Sequence, residues 1–263
     1  MTDRVALITG ASSGIGLELA RLFARDGHDL VLVARRQDRL QALADELTDR
    51  YDVQLTVIAA DLADPSAPAE IARRVAAAGL EVELLVNNAG YGLAGEFIRT
   101  DAATELRMIQ VNIAALTHLS KLFLPRMVAE HQGRIMNVAS TAGFVPGPLM
   151  AVYYATKAYV ISFSLALAEE LRQSGVTVTV LCPGATRTEF QERAGIDLDV
   201  RLFRGPWVAD AASVARAGYQ GMLRGKRLVV PGVFNKIMVA ATRLASRALL
   251  AKVARRVQEN VRS

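Results

Sequence analysis

Cysteine and tryptophan are almost missing. The chain of 263 residues holds one of each, Cys182 and Trp207. A single thiol cannot close a disulfide within the chain, which fits a reducing cytoplasm. The histidines His28, His118 and His131 are too scattered to suggest a metal site. No stretch of about 18 apolar residues lacks charge, so a spanning helix is not expected. Nor does a signal peptide open the chain: Asp3 and Arg4 precede a short apolar run. Linkers, internal repeats and low-complexity tracts are also lacking, so a single domain over residues 1–263 is expected. The net charge of +5 is modest, and no zinc spacing, RNA-binding signature or concentrated basic patch accompanies it. No nucleic-acid partner is expected.

What is present is core-forming. Hydrophobic residues make up 52% of the chain, enough for a large interior and too many for disorder. Short, β-branched apolar runs at 5–8, 29–33, 54–59, 84–86, 134–138 and 176–181 read as strands buried on both faces, with a seventh candidate at 227–230. Helical periodicity fills the gaps at 15–25, 37–50, 65–78, 100–130 and 153–173. This alternation predicts an α/β fold, a Rossmann-type doubly wound parallel sheet of about seven strands with helices on both faces. Ligands of such sheets bind beyond the carboxyl ends of the strands. Residues 186–207 mix charge with Phe190, Phe203 and Trp207 and lack clear periodicity, which suggests a substrate lid.

The first strand runs into TGASSGIG, Thr9 to Gly16. Gly10, Gly14 and Gly16 allow positive φ and close backbone approach. The free N–H groups of the following helix, with Ser12, Ser13 and Ile15 beside them, favour an anion such as a pyrophosphate. The serines could equally cap the helix. At the end of the second strand, where an NAD-specific fold usually has an acid, stand Ala34, Arg35 and Arg36. Guanidinium groups bind a 2′-phosphate through charge-assisted hydrogen bonds, so NADP(H) is the expected cofactor; solvated helix-start arginines are the other reading.

Further short motifs follow in order: Asp61-Leu62, NNAG at 87–90, Val111-Asn112, NVAS ending at Ser140, YYATK at 153–157 and PGATRT at 183–188. With TGASSGIG they resemble the short-chain dehydrogenase/reductase family, in its common branch of about 250 residues, over roughly residues 5–230. The resemblance implies a catalytic tetrad of Asn112, Ser140, Tyr153 and Lys157. It implies adenine recognition at Asp61 and Leu62, cofactor contacts from Asn88, Ala89 and Gly90, and contacts near the nicotinamide from Pro183, Gly184, Thr186 and Thr188, with Tyr153 and Lys157 touching cofactor as well. It also implies a homodimer or homotetramer with the two long helices at the interface. Two departures are Ser13, where NADP-preferring relatives often carry a basic residue, and Ala139, where a second serine is frequent.

Tyr153 and Lys157 are four residues apart and share a helical face. A free tyrosine has a pKa of about 10, and a nearby ammonium together with the nicotinamide charge is expected to lower it towards neutrality. In the reducing direction Tyr153 donates a proton to a carbonyl oxygen as hydride arrives at carbon. Ser140 binds that oxygen, Lys157 holds the nicotinamide ribose, and Asn112 holds a water linking Lys157 to solvent. Tyr154 rivals Tyr153 on spacing alone, and the family pattern decides between them. Tyr91, Phe144, Pro146, Met150, Phe190 and Trp207 either line an apolar pocket or pack in the core. Cys182 reads as a small core residue and Asn87 as a strand-end turn residue.

Residues 235–263 read as one helix with apolar Ile237, Val239, Leu244, Leu249, Leu250, Val253 and Val257 and a basic face of Arg243, Arg247, Lys252, Arg255, Arg256 and Arg262. It either contacts a membrane or partner peripherally, or docks on its own protein or a second subunit. The expected activity is NADP(H)-dependent hydride transfer to a carbonyl, or from a secondary alcohol, of a largely apolar substrate. The alternatives are a reductase of carrier-bound 3-oxoacyl chains, with Arg187 or Arg193 receiving the carrier, and a non-enzymatic NADP(H) sensor or scaffold on the same fold.

Overall fold

The structure is a computed structural model that describes residues 5–195 and 208–259. Six strands come at their expected places: β1 (Val5–Thr9), β2 (Asp29–Ala34), β3 (Leu55–Ala59), β4 (Val82–Asn87), β5 (Gly133–Val138) and β6 (Val176–Leu181). A two-residue ladder pairs β7 (Thr186–Arg187) with β8 (Ala209–Asp210), and β9 (Leu228–Val229) completes the main sheet. The main sheet runs β3-β2-β1-β4-β5-β6-β9, parallel throughout. Its strand order reverses beside β1, so the carboxyl ends of β1 and β4 open a crevice there.

Helices cover both faces because each has one apolar stripe. On one side lie α1 (Gly14–Arg25) and α2 (Gln37–Arg50); α2 buries Leu40, Leu43, Ala44 and Leu47 at helical spacing. On the other lie α3 (Ala67–Ala77), α5 (Leu116–Ala129) and the end of α6 (Ala151–Glu170). The α6 helix is long and apolar enough to cross a membrane by composition, but its Tyr153, Thr156, Lys157, Val160 and Ser164 are buried in the fold.

Three expectations are corrected. The segment 100–130 is helical but not uniform. It comprises α4 (Ala102–Ile109), a wider π-helical stretch at Gln110–Ala115, and α5. That stretch carries Asn112, as π-turns often do at functional sites. A helix at Ala211–Leu223, α8 after the short α7 (Phe190–Arg193), was not anticipated. Its signals were local: Asp210 caps it by accepting from Ser213 N at 2.7 Å, and Val214, Ala215, Gly218, Tyr219 and Met222 form its buried stripe. The tail is two helices rather than one, α9 (Val233–Ala241) and α10 (Arg247–Glu259). The Thr242 hydroxyl turns back to Val239 O at 2.7 Å, while the Ser246 hydroxyl accepts from Leu249 N at 3.3 Å and starts a new helix. Part of the expected lid, residues 196–207 with Phe203 and Trp207, lies outside the described residues, as do residues 260–263.

Candidate active site

The glycine turn is shaped for close approach. Gly10 and Gly14 have φ of 67° and 57°, which disfavour other residues. A Cβ at Gly10 would come within 2.7 Å of Asn88 Nδ2, and one at Gly14 within 3.1 Å of Thr188. The turn is pinned from β4: Asn88 Nδ2 donates to Thr9 O at 2.9 Å, and Thr9 Oγ1 accepts from the N–H groups of Asn88 and Ala89, each at 3.0 Å. Ser13 stands at the N-cap without a side-chain cap bond, so its hydroxyl is not used in helix capping. Ser12 Oγ instead accepts from Arg36 at 3.1 Å. Arg36 also pairs with Glu189 at 2.9 Å, and Arg39 meets the same carboxylate. Arg35 is exposed at the cavity rim. Asp61 accepts from Ala63 N through one oxygen and pairs with Arg107 through the other, each at 3.0 Å, while Leu62 is buried beneath.

Three residues of the expected tetrad, Ser140, Tyr153 and Lys157, line the inner end of the same cavity, and the fourth, Asn112, is buried behind Gly90. Tyr153 and Lys157 are both buried on α6, with the ammonium 5.8 Å from the Tyr153 ring centre. Lys157 Nζ donates to Val138 O at 2.9 Å. Ser140 follows β5 with an extended backbone; its hydroxyl accepts from Ala142 N at 3.1 Å and donates to Pro183 O at 3.4 Å. Asn112 donates to Tyr91 O and Thr156 Oγ1, each at 3.0 Å, and accepts from Tyr91 N at 3.1 Å. A Cβ at Gly90 would lie 3.0 Å from Asn112 Oδ1 and 3.3 Å from Lys157 Nζ, so that glycine keeps the gap between them open.

Burial sets the protonation here. It pushes the Tyr153 phenol well above its usual value, only partly opposed by Ser140, and it pulls Lys157 down to about 8. The expected lowering by the lysine is therefore not what the protein alone produces. Desolvation disfavours both charged forms. The proton stays on Tyr153 at neutral pH, the state a general acid needs.

The cavity measures about 440 Å³, within the range of small-molecule sites. Of the expected pocket residues, Tyr91, Met150 and Phe190 line it. Phe144 packs in the core instead, and Trp207 lies outside the described residues. Thr186 and Thr188 also line the cavity, from β7 and the loop after it. Gln191 reaches back to Thr186 O and holds that segment against the site. Leu149, with φ of 65°, turns the chain into α6 and its carbonyl accepts from Gly95 N at 2.7 Å. Lining residues not foreseen are Val145, Tyr154, Phe234, Met238, Val257 and Gln258. Four of these come from the tail. Its inner face docks on its own protein, with Gln258 bonded to Tyr154 and Asn235 seated against Gly184. Its outer face leaves Ile237, Leu249 and Val253 exposed.

Cys182 is buried in the core, its thiol pushed up to about 12 by desolvation. Asn87 does more than hold a turn: it donates to Asn137 and Ser120, and Asn137 donates to Ser164, forming a buried polar chain behind the site. No metal-type cluster occurs among the described residues.

These residues fit a dinucleotide. The turn at Gly10 and Gly14, the α1 amides at the cavity wall and the gap kept by Gly90 form one continuous trough from Arg35 to Tyr153. A parallel sheet that opens at its strand-order reversal, with a buried Tyr–Lys pair at the far end of that trough, defines a Rossmann-type oxidoreductase. Within that class the chain belongs to the short chain dehydrogenase family, whose model it matches over residues 4–198. Oxidoreductase UcpA of Escherichia coli (strain K12) is 37% identical over 193 residues, 73% of each chain. A short-chain dehydrogenase from Sphingobium yanoikuyae, solved in complex with NADPH, is 39% identical with a TM-score of 0.81 over 92% of this chain and 94% of that one. The bulky-bulky ketone specific alcohol dehydrogenase from Comamonas testosteroni is 34% identical with a TM-score of 0.77 over 92% and 93%.

Proposed function

We propose that this oxidoreductase is an NADP(H)-dependent carbonyl reductase/alcohol dehydrogenase acting on bulky, largely apolar ketones and the matching secondary alcohols. The observation that carries this reading is Tyr153, buried beside Lys157 on the wall of a cavity that Met150 and Phe190 also line. The NADPH-bound relative and the ketone-specific relative support the cofactor and the substrate class respectively.

The cofactor supplies or accepts hydride. The chain's own residues do the rest. The trough of Gly10, Ser12, Ser13, Gly14 and Ile15 would hold the pyrophosphate on backbone amides, with Gly16 packed behind it against Gly10 O and Asn88. Arg35 and Arg36 would hold the 2′-phosphate. Asp61, Leu62, Asn88, Ala89 and Gly90 hold the adenosine side, and Pro183, Gly184, Thr186 and Thr188 the nicotinamide side. Ser140 hydrogen-bonds the substrate oxygen and keeps it against Tyr153. Tyr153 releases its proton to that oxygen as hydride reaches carbon, and regains it in the reverse direction. Lys157 steadies the phenolate left behind and bonds the nicotinamide ribose. Asn112, locked by Tyr91 and Thr156, holds a water at the gap beside Gly90 through which Tyr153 is reprotonated.

Exposed Leu122 and Tyr159, on α5 and α6, supply the apolar contact for a homodimer or homotetramer. A cytoplasmic setting fits the single buried thiol. A screen of ketones, aldehydes and secondary alcohols against NADPH and NADH, read by absorbance of the reduced nicotinamide, tests the reading. Turnover with apolar ketones and NADPH is expected. Tight NADPH binding without turnover of any carbonyl would replace it with a sensor or scaffold.

A further inference from the structure

Tyr154 follows the catalytic tyrosine and is not needed for proton transfer, yet it is built into the cavity. Its ring stands edge-on to Tyr153, with 6.0 Å between ring centres at 80°. It packs with Met150 and Phe190 and occupies the space left by the missing side chain of Gly147. Its hydroxyl accepts from Gln258 Nε2 at 2.8 Å. Gln258 is itself buried, although it lies near the end of α10, 104 residues away in sequence. Among the described residues the Tyr154 hydroxyl makes this one hydrogen bond, and in it the oxygen is the acceptor. Its own proton is therefore left for another acceptor. Burial pushes the phenol above its usual value, so it stays a donor through neutral pH.

Tyr154 lines the cavity beside Val145, Met150, Met238 and Val257, where a half-buried O–H is costly to leave unmatched. We infer that Tyr154, aimed by Gln258, is a second polar contact for substrate and selects carbonyl compounds that carry an acceptor oxygen set apart from the reacting carbonyl by an apolar body. The α10 helix is then the outer wall of the substrate site, and Gln258 a positioning residue acting through Tyr154. This inference rests on the carbonyl reductase reading. The distal bond is made equally in the bound substrate and in the transition state, so it acts on KM and leaves kcat alone.

The test uses the full chain, NADPH, a linear methyl ketone, and a ladder of its ether isosteres in which one methylene at a time becomes oxygen. One position in the ladder is expected to show a KM roughly tenfold or more below the parent ketone, the size of one satisfied buried hydrogen bond. Tyr154→Phe, which keeps the ring, is expected to erase that preference while kcat and NADPH affinity hold. Gln258→Leu weakens the preference, and Gln258→Asn, with the amide kept, restores part of it. A merely structural role would lower kcat for every ketone alike. Turnover of the parent with no preferred isostere, or a preference that survives Tyr154→Phe, overturns the inference and spares the reductase reading. No turnover of any ketone overturns both.

Discussion

The two ends of the cavity are made differently. At the cofactor end, backbone does the work: two glycines of positive φ, the amides opening α1, and a threonine holding two N–H groups. All of it comes from segments next to strand ends. At the substrate end, side chains do the work, and they come from α6, α7, α9 and α10. A site made of backbone needs fixed residues at fixed spacing, whereas a site made of side chains needs only bulk and polarity in the right volume. The first leaves a readable motif, and the second lets neighbouring members of one fold differ in what they accept.

That contrast can be broken or sharpened by substitution. The largest effect on nucleotide binding is expected at Arg35. Arg35→Asp should weaken NADPH by roughly tenfold to a hundredfold, the range for a charge-assisted hydrogen bond lost or reversed, and leave NADH nearly unchanged. Fluorescence titration of the two reduced nucleotides checks it. Equal losses would mean that the arginine end does not read the 2′-phosphate.

Lys157→Met should cost about a hundredfold in kcat yet raise Tm at pH 7. The folded-state value of about 8 lies below the ordinary value near 10.4, so below pH 8 the ammonium is charged in both states and its burial opposes folding in full. From pH 8 to about 10.4 the unfolded chain keeps the proton that the folded protein has released, and the penalty fades. The Tm gain should shrink across that window in a calorimetric pH series. A Tm loss at pH 7 would mean that the bond to Val138 O outweighs desolvation.

The smallest effect is expected at Glu189, the residue that ties the substrate end to Arg36 and Arg39. On the NADP(H) reading its carboxylate would compete with a 2′-phosphate for Arg36. Glu189→Gln should tighten NADPH by about twofold to fivefold, as expected for a half-exposed pair, with NADH unmoved. Tighter binding of both would place the effect on the trough rather than on the phosphate.

How much was legible follows from the same contrast. The strand at 176–181 and the helix at 37–50 were readable to the residue, because buried parallel strands and amphipathic helices carry their periods on the surface of the sequence. Asn112, Ser140, Tyr153 and Lys157 are expected as a set through the family motifs; the structure puts the last three on one cavity wall and leaves Asn112 buried behind Gly90. The π-helical turn under Asn112 was not, since its apolar pattern differs little from that of an α-helix. Helix α8 carries only a faint period in the sequence, because Gly218 and Gly221 dilute its stripe, though both pack against the sheet through Leu181 and Val229. Gln258 had no local sign at all: a polar residue in a basic tail becomes a pocket residue only through the fold. The raised phenol of Tyr153 likewise follows from burial, which spacing does not report.

The central claim is that hydride passes between a nicotinamide and a carbonyl carbon while Tyr153 supplies the proton. Single-turnover reduction of an apolar ketone with NADPH deuterated at its transferring carbon tests both halves at once. The account predicts one deuterium at the carbinol carbon of the product, and a rate about a thousandfold lower in Tyr153→Phe with NADPH affinity retained. A product free of deuterium, or a Tyr153→Phe variant working at the full rate, would contradict it.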